Sequence, residues 1–246
     1  MKLNKKNNCS IFLTAGYPHL NSAPQLVKEL ENAGVDFIEL GIPFSDPLAD
    51  GPVIQETSAI ALNNGMTLDI LFQQVVEIKE TTSIPIVLMG YFNPIYTYGV
   101  EQFLKQCNAL GVDGLIIPDL ELEIYEVEYK KLFEIYEIPL IFLITTATPV
   151  ARIKRIAAIS TSFIYLVSST ATTGSKLEFT TDQIKSFEKI KQLKLNVPII
   201  VGFGIHNEET FNTICNLFDG AIIGSAFLRS ISRNISVKDF VADIIG

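Results

Sequence analysis

Val35-Asp36-Phe37-Ile38-Glu39-Leu40-Gly41-Ile42 is, past Asp36, apolar at every position but Glu39. Such a run lacks the in–out alternation of a half-solvated strand and reads as a strand buried on both faces, the environment of a parallel sheet. Parallel strands require crossovers, and the flanking sequence supplies one. Upstream, Ser22-Ala23-Pro24-Gln25 has the pattern of a capping box with proline in the first turn, and Leu26, Val27, Leu30 and Ala33 form a helical face that stops at Gly34.

Working outward, seven more short apolar runs recur: Ser10–Ala15, Ile84–Gly90, Val112–Pro118, Ile138–Thr145, Ser162–Ser168, Val197–Gly202 and Gly220–Ala226. Helical periodicity fills the gaps in Leu68–Glu80, Val100–Leu110, Leu122–Tyr136, Val150–Ile159, Thr181–Lys194 and Glu208–Leu217, with a further helix over Val237–Ile245. Eight β–α units in 246 residues predict an α/β fold of the (β/α)₈ TIM-barrel type, which typically needs about 250 residues. A doubly wound open sheet shares the alternation, but Ala15-Gly16-Tyr17-Pro18 lacks the glycine-rich turn that such a sheet carries after its first strand. No linker or low-complexity tract interrupts the order, so the expectation is one domain over residues 1–246, with residues 1–9 as a short N-terminal extension.

Composition narrows the function. With 48% hydrophobic and 19% charged residues the chain can build a large core, which argues against disorder. Its net charge of −8 opposes non-specific binding to nucleic acid or anionic membranes, so an anionic ligand needs local donors. Lys2, Lys5 and Lys6 are not followed by a signal-peptide core, and no apolar run approaches a bilayer span; the expected compartment is the cytoplasm. Cys9, Cys107 and Cys215 form no paired motif and are expected as buried, inert thiols rather than metal ligands.

In a β/α barrel the active site lies where strands end and βα loops begin. Glu39 shares a strand face with Phe37 and opposes Ile38 and Leu40; if that face lines the barrel, burial raises its pKa into the range where a carboxyl exchanges protons near neutrality. A hydroxyl on a neighbouring strand would equally satisfy it. Asp50, eleven positions on in a loop with three prolines, can face Glu39 across a ligand, or it and Asp46 can simply make Asx turns. Val201-Gly202-Phe203-Gly204 and Ile223-Gly224-Ser225-Ala226 end the seventh and eighth strands, where main-chain N–H groups and a helix N-terminus can hold a phosphate. Thr170-Ala171-Thr172-Thr173-Gly174-Ser175 can close over a ligand or be an ordinary loop. His19 and His206 are read as solvated or substrate-adjacent, with no metal implied.

Across nearly its whole length the sequence resembles the tryptophan synthase α subunit family. The most specific stretch is Glu39-Leu40-Gly41-Ile42-Pro43-Phe44-Ser45-Asp46-Pro47-Leu48-Ala49-Asp50-Gly51-Pro52, supported by Phe12-Leu13-Thr14-Ala15-Gly16, Tyr91-Phe92-Asn93-Pro94, Gly111-Val112-Asp113-Gly114, Gly202-Phe203-Gly204-Ile205 and Gly224-Ser225-Ala226. The resemblance implies retro-aldol cleavage of indole-3-glycerol phosphate to indole and glyceraldehyde 3-phosphate, with no cofactor in this subunit. It assigns Glu39 as proton shuttle, Asp50 to the indole N–H, Phe12 and Tyr165 to flanking the substrate, Thr173 and Gly174 to a closing loop, and Gly202, Gly204, Gly224 and Ser225 to the phosphate. It also implies a pyridoxal-phosphate-dependent β subunit as partner in an αββα heterotetramer, docking on the Pro43–Pro52 loop and the Tyr91–Tyr98 segment, with Phe44, Tyr91, Phe92 and Tyr96 as its apolar contacts or as core. Three departures stand out: Ala171 replaces a family glycine, the chain before strand one is short, and the last helix is trimmed.

Two other readings compete. A sugar-phosphate isomerase or decarboxylase suits the barrel and glycines but would need a catalytic Lys or His at a strand end, and none is evident. A catalytically idle regulatory subunit suits Ala171 but not the retention of both carboxylates.

Overall fold

The computed structural model describes Leu3, residues 6–168 and residues 179–246. Among these residues run strands β1 (Asn8–Thr14), β2 (Phe37–Gly41), β3 (Ile86–Met89), β4 (Gly114–Ile116), β5 (Leu140–Ile141), β6 (Leu143–Thr145), β7 (Ile164–Val167), β8 (Ile199–Gly202) and β9 (Gly220–Ile223). Every pairing is parallel, in the order β5-β4-β3-β2-β1-β9-β8-β7-β6. β5 and β6 flank the single residue Phe142, whose carbonyl accepts the Tyr165 N–H at 3.0 Å. They are two halves of one stave, bonded to β4 on one side and β7 on the other, so nine ladder segments make the expected eight-stave barrel.

Helices follow the strands: α1 (Ser22–Asn32), α2 (Pro52–Asn63), α3 (Leu68–Thr81), α4 (Phe92–Tyr98), α5 (Val100–Ala109), α6 (Leu122–Ile124), α7 (Lys130–Ile135), α8 (Val150–Ile159), α9 (Thr181–Lys191), α10 (Glu208–Cys215), α11 (Ser225–Ser232) and α12 (Val237–Ile245). The period-two alternation of the strands separates two cores. Phe12, Phe37, Val87, Ile116, Tyr165, Ile200 and Ile222 fill the barrel, whereas Ile11, Leu13, Ile38, Leu40, Ile86 and Leu88 pack outward against the helices. Phe37 and Phe163 meet at 5.5 Å between ring centroids inside the barrel, each fully buried ring contributing roughly 2–3 kcal/mol.

The structure corrects several expectations. Asn8 and Cys9 belong to β1 rather than to an extension, because Asn8 is anchored by its N–H and its side-chain amide to the Asp219 carbonyl at 2.9 and 2.7 Å. No capping box forms at Ser22: helix α1 begins there after Asn21, and Ser22 Oγ accepts the His19 N–H instead. The helix expected over Leu122–Tyr136 is α6 and α7 joined by a π-helical turn, Tyr125–Tyr129. Helices α2 and α4 were not anticipated, and α11, expected only as a helix or helical turn after the last strand, had no bounds. The buried side of α2 includes the hydroxyls Thr57 and Ser58, so its apolar period is faint. Seven-residue α4 is too short to show a period, and α11 follows β9 so directly that its apolar residues prolong the strand pattern to Ala226.

Candidate active site

Glu39 projects from β2 into the barrel, level with Phe12 on β1 and Val87 on β3. It is 1% exposed, and its Oε2 has no hydrogen-bond partner among the described residues. A carboxylate is costly to leave in such a place. Burial first, and the nearby charge of Asp50 second, push its pKa up to about 8.

Asp50 arrives from the loop between β2 and α2. Pro52 sets the first turn of α2 and Gly51 is its N-cap, so Asp50 sits immediately before a helix start. It makes no Asx turn. Its carboxylate turns inward, 6% exposed, and Oδ2 accepts a hydrogen bond from the Tyr91 hydroxyl at 3.0 Å while Oδ1 has no partner among the described residues. The same hydroxyl accepts the Ala49 N–H at 2.8 Å, which fixes the loop. Burial pushes the Asp50 carboxyl up to about 6, and the Tyr91 bond works in the opposite direction.

Tyr91 is the residue that sequence reasoning missed as part of the site. Read there as an interface contact or as core, it is buried. The available signal was parity: Val87, Met89 and Tyr91 are spaced by two, so a residue just past β3 continues its inward face. Phe44 packs on Tyr91 at 5.3 Å between centroids and is half-buried, while Leu48 at 91% and Tyr96 at 63% are exposed.

A narrow recess opens at this rim, walled by Phe12, Thr14, Gly41, Asp50, Ile54 and Tyr91 among others. Gly41 is glycine for a steric reason, since a Cβ there would lie 2.5 Å from the Phe12 ring. Across the barrel, Tyr165 is 4% exposed, and its hydroxyl pKa is pushed well up, first by burial and then by the charges of Glu39 and Asp50. Its hydroxyl occupies the space a Gly202 side chain would take: a Cβ there would be 1.8 Å from Tyr165 Oη.

The other glycines divide. Gly204 takes a left-handed φ of +80° beside Phe179 and Ser168, and Phe203 before it is also left-handed at +70°. Gly224 lies against Phe12 and caps α11, whose first residue is Ser225 and whose first-turn N–H groups have no intrahelical acceptor. Thr173 and Gly174, with Ala171, lie outside the described residues. His19 is exposed, and His206 Nδ1 lies 3.1 Å from the Gly204 carbonyl oxygen. Among the described residues no group of side chains suits a metal, and all three cysteines are buried.

A parallel β/α barrel with two desolvated carboxylates at one strand end and glycine-rich ends on β8 and β9 defines a barrel enzyme of acid–base chemistry. The family model for the tryptophan synthase alpha chain matches residues 1–243. The chain is 51% identical over 241 residues to the tryptophan synthase alpha chain of Flavobacterium psychrophilum and 52% identical over 241 residues to that of Flavobacterium johnsoniae, in each case covering 97% of this chain and 95% of the relative. Among solved structures, a mutant tryptophan synthase α-subunit from Pyrococcus furiosus superposes with a TM-score of 0.89 at 34% identity, covering 98% of this chain and 99% of that one. The subunit alpha from Campylobacter jejuni gives 0.86 at 31%, covering 98% and 97%. The chain belongs to the tryptophan synthase alpha chain family.

Proposed function

We propose that this chain, acting as one domain, is a carbon–carbon lyase that cleaves indole-3-glycerol phosphate to indole and glyceraldehyde 3-phosphate through Glu39 and Asp50. The observation that carries the residue assignment is the burial of two carboxyls at one end of the barrel, each with an oxygen that has no partner among the described residues, and that burial pushes both pKa values up. At pH 7 a carboxyl near 8 holds its proton while one near 6 has lost it, so one fold presents an acid and an anion side by side.

Glu39 gives its proton to C3 of the ring, and the indole nitrogen, becoming electron-poor, is stabilised by its N–H donating to the Asp50 carboxylate. The Glu39 carboxylate then takes the proton of the side-chain hydroxyl. That oxygen becomes the aldehyde carbonyl, the bond to C3 breaks, and the electron pair returns to the ring. The proton cycles through Glu39, which ends as it began. Phe12 and Tyr165 flank the ring; Gly202, Gly204, Gly224 and Ser225 hold the phosphate tail through main-chain N–H groups; Thr173 and Gly174 belong to the loop over it.

The partner is a pyridoxal-phosphate β subunit in an αββα assembly, and exposed Leu48 and Tyr96 supply apolar contact area beside the site. The compartment is the cytoplasm; among the described residues no helix is long and apolar enough to cross a membrane. The test is indole release from indole-3-glycerol phosphate: slow with this chain alone, faster with its β subunit, and with kcat/KM falling below about pH 6 and above about pH 8 as the pair titrates. No indole under either condition overturns the reading.

A further inference from the structure

The loop between β1 and α1 is held from outside the barrel by amide side chains. Asn64, the residue closing α2, donates through Nδ2 to the Gly16 carbonyl at 2.9 Å and to the Pro18 carbonyl at 3.0 Å. Gln74 on α3, 3% exposed, donates to the Leu20 carbonyl. Three alternate carbonyls of one loop are therefore gripped by the α2–α3 corner. Gly16 completes the fit: it is left-handed at φ +86°, and a Cβ there would press on Met66 at 3.0 Å and Ala61 at 3.2 Å.

Between the two carbonyls that Asn64 holds lies Tyr17, 7% exposed and packed in the same buried cluster as Phe12 and Ile54. Those two residues are walls of the recess. An Asn amide has two N–H bonds on one nitrogen, and here each serves one carbonyl, so the group has one usable orientation; a flip would set oxygen against two oxygens. Helix α2 thus carries the carboxylate loop at its start, a recess wall at Ile54 and the clamp at its end.

We propose that Asn64 is a positioning residue that sets affinity for the aromatic ring of the substrate: by fixing Tyr17, which shares a buried cluster with Phe12 and Ile54, it determines the spacing of the apolar wall against which that ring lies. The inference rests on the function proposed above. Asn64 touches neither carboxylate's partners, since Asp50 is oriented by Tyr91 and Glu39 by its strand. Its loss therefore acts on ring binding and leaves the proton transfers in place.

The test is calorimetric binding of two ligands, indolepropanol phosphate, which has the ring and phosphate but no cleavable bond, and glycerol phosphate, which has no ring, to the unvaried chain, Asn64→Ala and Asn64→Asp, alongside steady-state kinetics. Each substitution is expected to weaken the ring ligand about 5- to 10-fold, as loss of two such bonds allows, and to raise KM in parallel. Glycerol phosphate affinity and kcat should stay within about twofold, because a uniform-binding loss moves KM alone. Asn64→Asp, equal in volume but without the donors, should do no better than Asn64→Ala. Unchanged ring affinity, equal loss of both ligands, or a wild-type-like Asn64→Asp overturns the assignment. An unvaried chain that binds neither ligand overturns the site reading itself, and this inference with it.

Discussion

The two sides of the barrel mouth are built on opposite principles. On the β2–β3 side, chemistry is carried by side chains buried at an energetic cost: Glu39 Oε2 and Asp50 Oδ1 have no hydrogen-bond partner among the described residues, and Tyr91 holds the other Asp50 oxygen. On the β8–β9 side there are glycines, and Gly202 is explained by packing before any ligand is considered, because the Tyr165 hydroxyl lies where its side chain would be, as the Phe12 ring does at Gly41 on the carboxylate side. A buried carboxylate has few structural uses, whereas a strand glycine has several. Side-chain anomalies therefore announce a site more sharply than backbone permissiveness does.

The contrast breaks first at Glu39. Glu39→Gln keeps shape and removes the titrating proton, so turnover should fall by about 10²- to 10⁴-fold while substrate still binds; near-normal turnover in a single-turnover assay would show that another group moves the proton. The same substitution reports the cost of burial. The folded-state pKa of Glu39 is raised from 4.5 to about 8, so its contribution is fully present below about 4.5 and is lost as pH rises through 8. Glu39→Gln should therefore be more stable than the unvaried chain at pH 8.5, by about 2–4 kcal/mol, with the gap closing at pH 4.5. Thermal melts at the two pH values check it, and a pH-independent difference would mean that the carboxyl is not desolvated as described.

On the opposite side the expected effect is smaller and of another kind. In Gly202→Ala the new methyl meets Tyr165 at 1.8 Å, and the buried ring must shift. That overpacking should cost about 1–3 kcal/mol in denaturant unfolding and weaken ring binding by swinging Tyr165 into the mouth. If Gly202 were there only to let a phosphate approach, stability would be unchanged and phosphate affinity alone would drop.

What was legible in the sequence follows the same division. Buried parallel strands gave eight apolar runs, and parity put Glu39 on the same strand face as Phe37 without saying which face lines the barrel; in the structure that face points inward. Helix α2 escaped because Thr57 and Ser58 replace apolar residues on its buried face: Thr57 hydrogen-bonds to Thr14 across the recess wall at 2.8 Å and to the Ile54 carbonyl at 3.0 Å, satisfying a polar group that pattern reading assigns to solvent. Tyr91 escaped because an aromatic hydroxyl fits an interface, a core or a site equally well, and only the meeting of two segments separated by 41 positions decides among them. The phosphate role of Gly204, Gly224 and Ser225 remains a proposal for a related reason: a glycine shows where a side chain is missing, not what takes its place.

The finest test concerns how the carboxylate side keeps its two groups apart in pKa. Burial raises both, and the Tyr91 hydrogen bond holds Asp50 down relative to what burial alone would give. Tyr91→Phe retains the ring that packs on Phe44 and deletes only the hydroxyl, leaving Asp50 Oδ2 without its donor and the Ala49 N–H without its acceptor. The Asp50 pKa should rise from about 6 toward that of Glu39 near 8, moving the acid limb of the kcat/KM profile upward and lowering the maximum by about 10-fold, the effect of one lost bond to a charged group. The alkaline limb, set by Glu39, should move little. A profile whose acid limb stays in place would mean that the Asp50 charge is held by its loop and by solvent rather than by Tyr91, and the two carboxylates would then owe their separation to unequal burial alone.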